Sequence, residues 1–153
     1  NGREGTLTWW VDGAIDERTR LREQREPPNI ALWRQQQFRM RVFAALVGDT
    51  DRNLGNILID TRNWTLWMID FTRAFRRHPG LKSTGGLTQI DRALLARLRS
   101  LDGARVRQET AHCLNSYEVD ALMTRRDALV AHFDRLIADK GAAAVLYGLE
   151  PKP

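Results

Sequence analysis

Apolar residues in the first half of the chain recur every three or four positions, the spacing of one buried helical face: Phe38, Val42, Ala45 and Leu46. The pattern predicts a helix from Ile30 to about Val47. Asn29 suits the N-terminal cap of this helix. Gly48 is expected to end the helix and to start a loop.

Two short apolar runs follow, at 57–59 and 65–69, and they contain many β-branched and aromatic residues. The residues between them, Asp60 to Asn63, favour a turn. The two runs therefore predict a β-hairpin. A loop rich in glycine is expected from Arg76 to Leu87.

The remainder of the chain has a mainly helical pattern. Three helices are predicted, over 88–101, 102–114 and 117–140. Their expected N-terminal caps are Thr88, Asp102, and Asn115 or Ser116. Residues 142–147 are expected to form either a short strand or a remnant of helix. The last long helix has one apolar face: Leu122, Leu129, Phe133, Leu136 and Ile137. We expect an α+β fold, mainly α-helical, in which one lobe is built around the hairpin.

Composition is that of an ordinary globular domain, with 42% hydrophobic and 28% charged residues in 153. The single cysteine, Cys113, excludes an internal disulfide framework and favours a reducing compartment. No apolar stretch approaches the roughly 18 residues of a membrane span. A cytoplasmic location without a membrane span is therefore expected.

Three side chains with oxygen ligands flank the predicted hairpin along the chain. Asp51 and Asn56 precede its first strand, and Asp70 directly follows its second strand. Because these two points meet at one end of a hairpin, the three side chains are expected to converge. Mg²⁺ prefers such oxygens together with the phosphates of a nucleotide. The pattern therefore predicts a site for a divalent metal and nucleotide phosphates.

The same residues resemble the catalytic motifs of the kinase superfamily. The motif Asp51-x-x-x-x-Asn56 has the spacing of a kinase catalytic loop, and Ile69-Asp70-Phe71 is similar to the metal-binding Asp-Phe-Gly segment. The loop as a whole is similar to those of atypical members: phosphatidylinositol kinases, HipA-type bacterial kinases and aminoglycoside phosphotransferases.

The resemblance extends more loosely from Trp10 to Phe75, and this stretch is similar to a bacterial family of the same kind. Two positions depart from the kinase pattern. Asn53 stands where a His is usual, and Thr72 replaces the Gly that follows Asp-Phe. These departures bear on the geometry of the loop and of the metal ligand.

The resemblance implies an ATP-dependent phosphotransferase that transfers the γ-phosphate to a hydroxyl acceptor. Asp51 would be the base that orients the acceptor, and Asn56 and Asp70 would bind Mg²⁺. Leu58 and Ile69 are the candidate contacts for the adenine of ATP, although both positions equally suit a plain core. The acceptor stays open, as a protein, lipid or small molecule.

Three neighbours of these residues leave alternatives open. Asp49 is the alternative to Asp51 as the base. Arg52 and Arg73 either contact phosphates or fix the loop by pairing with Asp49 or another carboxylate.

A complete kinase also has a small N-terminal lobe with a Gly-rich flap and a Lys that binds phosphates. Neither precedes residue 48, since the first Lys is Lys82. We therefore expect a kinase-like C-terminal lobe at 14–153 and the residual strand and hinge of an absent small lobe at 1–13. Alone, this chain is expected to be inactive, and its strand from Thr6 to Val11 is expected to offer an edge for self-association.

Other interpretations account for parts of the pattern. Asp49 to Asp60 mimics a calcium-binding loop, but Leu54 stands where that loop needs Gly. The Asp and Asn residues can also serve only to shape turns. A kinase-like lobe can persist as a pseudokinase or binding scaffold. The net charge of +5, with 21 Arg among 24 basic residues, suggests nucleic acid, but no motif of that class accompanies it.

Overall fold

The computed structural model describes residues 11–148. Over these residues the helices are α1 Glu17–Arg22, α2 Ile30–Val47, α3 Arg92–Ser100, α4 Gly103–Thr110, α5 Ser116–Lys140 and α6 Ala142–Val145. The strands are β1 Ala14–Asp16, β2 Ile57–Asp60, β3 Thr65–Met68, β4 Ile90–Asp91 and β5 Leu146–Tyr147. Helices make up about 53% of the structure, which confirms the predicted α+β, mainly α-helical class.

Helix α2 begins and ends where the sequence predicts. The side chain of Asn29 accepts a hydrogen bond from the N–H of Leu32 at 2.9 Å, which satisfies a free donor of the first turn. At the other end Gly48 adopts the left-handed region, with a φ of 63°, and its N–H bonds to carbonyl oxygens of Ala44 and Ala45. The following loop therefore starts from a fixed point.

Strands β2 and β3 form the predicted hairpin. They pair antiparallel, with Leu58 opposite Trp67. Strand β1, which the sequence did not predict, pairs antiparallel with the other edge of β2 and places Asp16 opposite Leu58. Its three residues lie in a polar, Arg-rich stretch and are too few to show alternation. The sheet is therefore one strand larger than the expected hairpin.

Helix α3 begins later than predicted. Its cap is Asp91, whose carboxylate accepts hydrogen bonds from the N–H groups of Ala93 and Leu94 at 2.8 and 3.0 Å. The predicted cap, Thr88, was wrong because the two residues of β4 lie between it and the helix. Strand β4 pairs in parallel with β5.

The remaining helices follow the sequence more closely. Asp102 caps α4 as predicted, but this helix ends at Thr110 rather than near Leu114. Asn115 and Glu118 form a capping box at the start of α5, and the N–H of Gly141 closes its end. Residues 142–147 form both of the expected alternatives, because α6 is followed directly by β5.

The core lies where α2, α3 and α5 pack together with the short parallel sheet. Its members include Val42, Ile90, Leu95, Leu129, Phe133 and Val145. Of the predicted helical faces, Val42, Leu122, Leu129 and Phe133 are buried, and the other predicted members are partly buried. This core supports the end of α2, from which the candidate site begins.

The predicted strand from Thr6 to Val11 lies outside the described residues except for Val11. Self-association through that edge therefore stays a prediction, as does the division of the chain at residue 13. Within residues 11–148 no helix combines the length and the apolar character needed to cross a membrane.

Candidate functional site

The loop after α2 is held by a buried ion pair between Asp49 and Arg52. The carboxylate of Asp49 accepts two guanidinium N–H groups, one of them from Nε at 2.8 Å. The other end of the guanidinium donates to the carbonyl oxygens of Asn56 at 2.5 Å and Ile69 at 2.6 Å. Its Cζ also lies 4.7 Å from the ring centroid of Phe71. Arg52 therefore fixes the loop to the end of the hairpin, which is one of its two predicted roles.

Asp51 presents its carboxylate at the surface of this loop. Its side chain is 39% exposed, whereas that of Asp49 is wholly buried. The nearest cation is Arg73, whose Nε lies 3.7 Å from the carboxylate of Asp51. The amide of Asn53 donates to the same carboxylate at 3.3 Å. Between the two candidate bases, only Asp51 is accessible to a substrate and free of a buried ion pair.

Asn56 ends the short 3-10 turn Leu54–Asn56 that leads into β2. Its side-chain N–H donates to the carbonyl of Asp51 at 2.9 Å. Asn53, at the position of the usual His, caps the turn by accepting the N–H of Gly55 at 2.9 Å. Both amide side chains therefore shape the loop, and Asn56 is also drawn toward Asp51.

Asp70 has a left-handed backbone, with a φ of 53°. This region is uncommon outside glycine and is enriched at functional sites. Its Oδ1 accepts the hydroxyl and the N–H of Thr72 at 2.7 and 3.2 Å. These hydrogen bonds hold the pKa of the Asp70 carboxyl below its usual value, and the charges of Arg52 and Arg73 act in the same direction. The group is exposed and ionised over the physiological pH range.

The two candidate metal ligands each retain an unused oxygen. The amide oxygen of Asn56 and the Oδ2 of Asp70 accept no hydrogen bond from residues 11–148. In the same part of the chain, no three His, Cys, Asp or Glu side chains form a metal-binding cluster. Mg²⁺ commonly takes one or two protein ligands and completes its shell with phosphate oxygens and water. The donors present at the hairpin fit that pattern.

Leu58 and Ile69 lie on one face of the sheet together with Trp67. Trp67 is opposite Leu58, and the N–H of Ile69 continues the pairing by bonding to the carbonyl of Asn56 at 3.2 Å. Trp67 is 44% and Ile69 38% exposed, whereas Ile57 on the other face is buried. Trp67 was not predicted as a site residue, because an apolar strand pattern does not reveal which aromatic residue is exposed. Trp67 and Ile69 therefore offer exposed apolar surface beside Asp70.

The loop of residues 71–87 follows Asp70 and borders the site. It contains four basic residues, Arg73, Arg76, Arg77 and Lys82, and no Asp or Glu. Lys82 and the neighbouring Ser83 and Thr84 are all exposed. The loop therefore gives the site a positively charged border.

No protein-family model matches the sequence, and a search of curated proteins finds no match.

Proposed function

We propose that this chain is the C-terminal lobe of an atypical kinase, which transfers the γ-phosphate of ATP to a hydroxyl acceptor. The observation that carries the proposal is the network of Arg52, which ties the loop of Asp51 and Asn56 to the segment of Asp70. Turn formation alone does not call for a buried cation that bridges two separate segments. The acceptor is a protein, a lipid or a small molecule.

Asp51 is the proposed base, since its carboxylate is exposed and that of Asp49 is buried. The proton of the acceptor hydroxyl passes to Asp51 as the acceptor oxygen forms a bond to the γ-phosphorus. The bond between that phosphorus and the bridging oxygen of the β-phosphate breaks, and ADP leaves. Arg73, whose Nε lies 3.7 Å from the carboxylate of Asp51, is the proposed contact for the transferred group.

Asn56 and Asp70 are the proposed ligands of Mg²⁺, through the oxygens that the fold leaves unused. When bound, the ion would neutralise charge on the phosphates. The low pKa of Asp70 keeps this ligand ionised. Adenine is proposed to lie on the apolar face of Leu58, Trp67 and Ile69, where an exposed indole suits stacking.

Binding of ATP with Mn²⁺ tests the metal assignment and can be followed by tryptophan fluorescence and by titration calorimetry. We expect wild type to bind the pair and Asp70→Asn to lose metal-dependent binding. Asn tolerates the left-handed backbone and retains an oxygen for Thr72, so the fold is expected to persist. The matched control is Asp102→Asn, which changes an exposed helix cap. Unchanged binding in Asp70→Asn, or equal loss in the control, would overturn the assignment.

The rate of phosphoryl transfer tests the proposed role of Asp51 as the base. In a protein that joins this lobe to a small N-terminal lobe, Asp51→Ala is expected to lower the rate of phosphoryl transfer about 10²- to 10⁴-fold, the usual contribution of a positioned base. Asp127→Ala, an exposed carboxylate on α5, is expected to leave it unchanged. Wild-type turnover in Asp51→Ala would remove Asp51 from the mechanism.

One observation favours the alternative of a pseudokinase or binding scaffold. Thr72 stands where kinases have Gly, and its hydroxyl and N–H both occupy one oxygen of Asp70. A scaffold of this kind would bind nucleotide without turnover. Thr72→Gly then discriminates: improved metal binding in this variant favours the scaffold, and an unchanged affinity favours the enzyme.

A further inference from the structure

A cavity of about 1190 Å³ lies between α2 and the loop of residues 71–87. Apolar side chains from α2 and from the sheet form part of its wall: Met40, Ala44, Ile57 and Leu66. Ile57 and Leu66 belong to the sheet face opposite the one formed by Leu58 and Trp67. The cavity is therefore separate from the surface proposed for adenine.

The wall of the cavity contains more basic than acidic residues. Among the described residues, the carboxylates that line it are Glu17 and Asp49, and each is already paired, with Arg20 and Arg52 respectively. The basic residues of the wall are Arg41, Arg52, Arg73, Arg76, Lys82 and Arg125. Among the residues at 11–148, no carboxylate pairs with Arg41, Arg76, Lys82 or Arg125. The cavity thus has an excess of positive charge that the described part of the chain does not neutralise.

Arg125 is the most unusual of these cations, because it is only 1% exposed. Its Nε and Nη1 donate to carbonyl oxygens of Leu46, Arg76 and His78 at 2.6 to 2.9 Å. Its Nη2 has no hydrogen-bond partner among the described residues. Burial lowers the pKa of this guanidinium. A buried cation without a counter-ion is costly, and a nearby anion would offset that cost.

The position of Arg125 is also fixed. A Cβ at Gly48 would lie 2.8 Å from its Cζ, so the side chain packs directly on the backbone at the end of α2. Its three carbonyl partners lie on α2 and on the loop of residues 71–87. The buried charge therefore stays at the wall of the cavity and contributes a constant positive potential there.

We infer that this cavity binds the phosphate group of the acceptor, and that the acceptor joins a phosphate to an apolar body and a hydroxyl. The inference rests on the proposed function. Arginine forks favour phosphate because they bind two of its oxygens at once, and the apolar wall suits the body of the molecule. Arg73 links the cavity to the site, since it lines the wall and lies 3.7 Å from the carboxylate of Asp51.

Calorimetric titration of the full chain with hexyl phosphate, without nucleotide or metal, tests this inference. Hexanol has the apolar chain but no charge, and inorganic phosphate has the charge but no apolar chain. Glycerol phosphate is a soluble phosphate ester that also has a hydroxyl. Vesicles of phosphatidylglycerol, compared with phosphatidylcholine, test a lipid source of the same group. Binding to the vesicles alone assigns a lipid headgroup, and binding to the soluble esters alone assigns a free acceptor.

The test variant is Arg76→Ala with Lys82→Ala, since both residues line the cavity and are exposed. We expect at least a tenfold loss of affinity for a phosphate-bearing probe. Arg92→Ala with Lys140→Ala removes the same charge away from the cavity and is expected to change affinity less than twofold. Equal loss in the two variants, equal binding of hexanol, or no binding of any phosphate probe would overturn the inference.

Nucleotide binding separates this inference from the proposed function. If ATP with Mn²⁺ binds in an Asp70-dependent manner and no phosphate probe binds, the inference alone is wrong. If phosphate probes bind but ATP does not, the cavity is an anion site and its role for an acceptor is overturned. Displacement of hexyl phosphate by ATP, or tighter binding of single-stranded DNA that the test variant abolishes, would also overturn that role.

Discussion

Asp49 and Arg52 form an ion pair in which both side chains are buried. The side chain of Asp49 is wholly buried, and that of Arg52 is 9% exposed. Asp49 also accepts the N–H of Asp51 at 3.0 Å, so the pair defines the backbone on which the proposed base stands. Asp49 and Arg52 thus stabilise the loop through their buried ion pair, and Asp51 is the carboxylate of this loop that is accessible to solvent.

Removal of Asp49 is expected to destabilise the protein strongly. Asp49→Ala leaves the guanidinium of Arg52 buried without its counter-charge, and such a change typically costs about 3–5 kcal/mol. Urea unfolding followed by circular dichroism measures this loss. The control is Asp51→Ala, whose exposed carboxylate is expected to change the free energy of unfolding by less than about 1 kcal/mol. Equal effects would mean that Asp49 does not stabilise the loop through Arg52.

Gly48 is expected to tolerate no side chain. Gly48→Ala requires a left-handed Ala, which costs roughly 1–2 kcal/mol, and also forces Arg125 to shift from a contact at 2.8 Å. Gly13 is the matched control, since its φ is 72° but a Cβ there would meet nothing within 4 Å. Gly48→Ala should therefore lower thermal stability clearly more than Gly13→Ala. A smaller or equal effect would contradict the packing of Arg125 on this glycine.

Asp91 is expected to stabilise the protein as the N-terminal cap of α3. Asp91→Ala should destabilise the protein by at least about 1 kcal/mol, because α3 loses its cap and Arg39 loses an ion-pair partner at 3.1 Å. Asp91→Asn retains a capping oxygen and should lose less. Thr88→Ala should change the free energy of unfolding by less than about 0.5 kcal/mol. Urea unfolding of the three variants would contradict the assignment if Thr88→Ala were the most destabilised.

Local chemistry explains which parts of the fold the sequence predicts. Asn29, Gly48, Asp102 and Asn115 act on their own neighbours, so their roles as caps are visible along the chain. The prediction that Thr88 caps α3 was wrong because pairing of β4 with the distant β5 determines where α3 starts. Strand β1 was missed for the same reason, since its partner lies more than forty residues away.

Some residues of the candidate site could likewise be predicted from the sequence, and others could not. Asp51, Asn56 and Asp70 are found from spacing, because their motif is continuous or follows a recognisable strand. The roles of Arg52 and Arg125 depend on carbonyl oxygens that only tertiary folding brings near them. Trp67 also required the strand pairing before its exposed face could be assigned. The contacts that long side chains make with residues distant in the sequence are thus the part of the site that is hardest to predict from the sequence.

Tyr147 is expected to make stability depend on pH in alkaline solution. Burial raises the pKa of its phenol to about 12, and the nearby Asp91 carboxylate acts in the same direction. In the unfolded chain the phenol titrates near 10. Between about pH 10 and 12 the unfolded state loses this proton while the folded state keeps it. The free energy of unfolding contributed by the phenol is therefore complete below pH 10 and falls as the pH rises.

Urea unfolding at pH 9 and at pH 11 measures this effect as the difference between wild type and Tyr147→Phe. The neutral phenol donates to the carbonyl of Gln35 at 2.9 Å, so wild type should have the larger advantage over the variant at pH 9. Other titrating groups are common to both proteins and cancel. A constant advantage of wild type from pH 9 to pH 11 would contradict the partial burial of Tyr147 against α2.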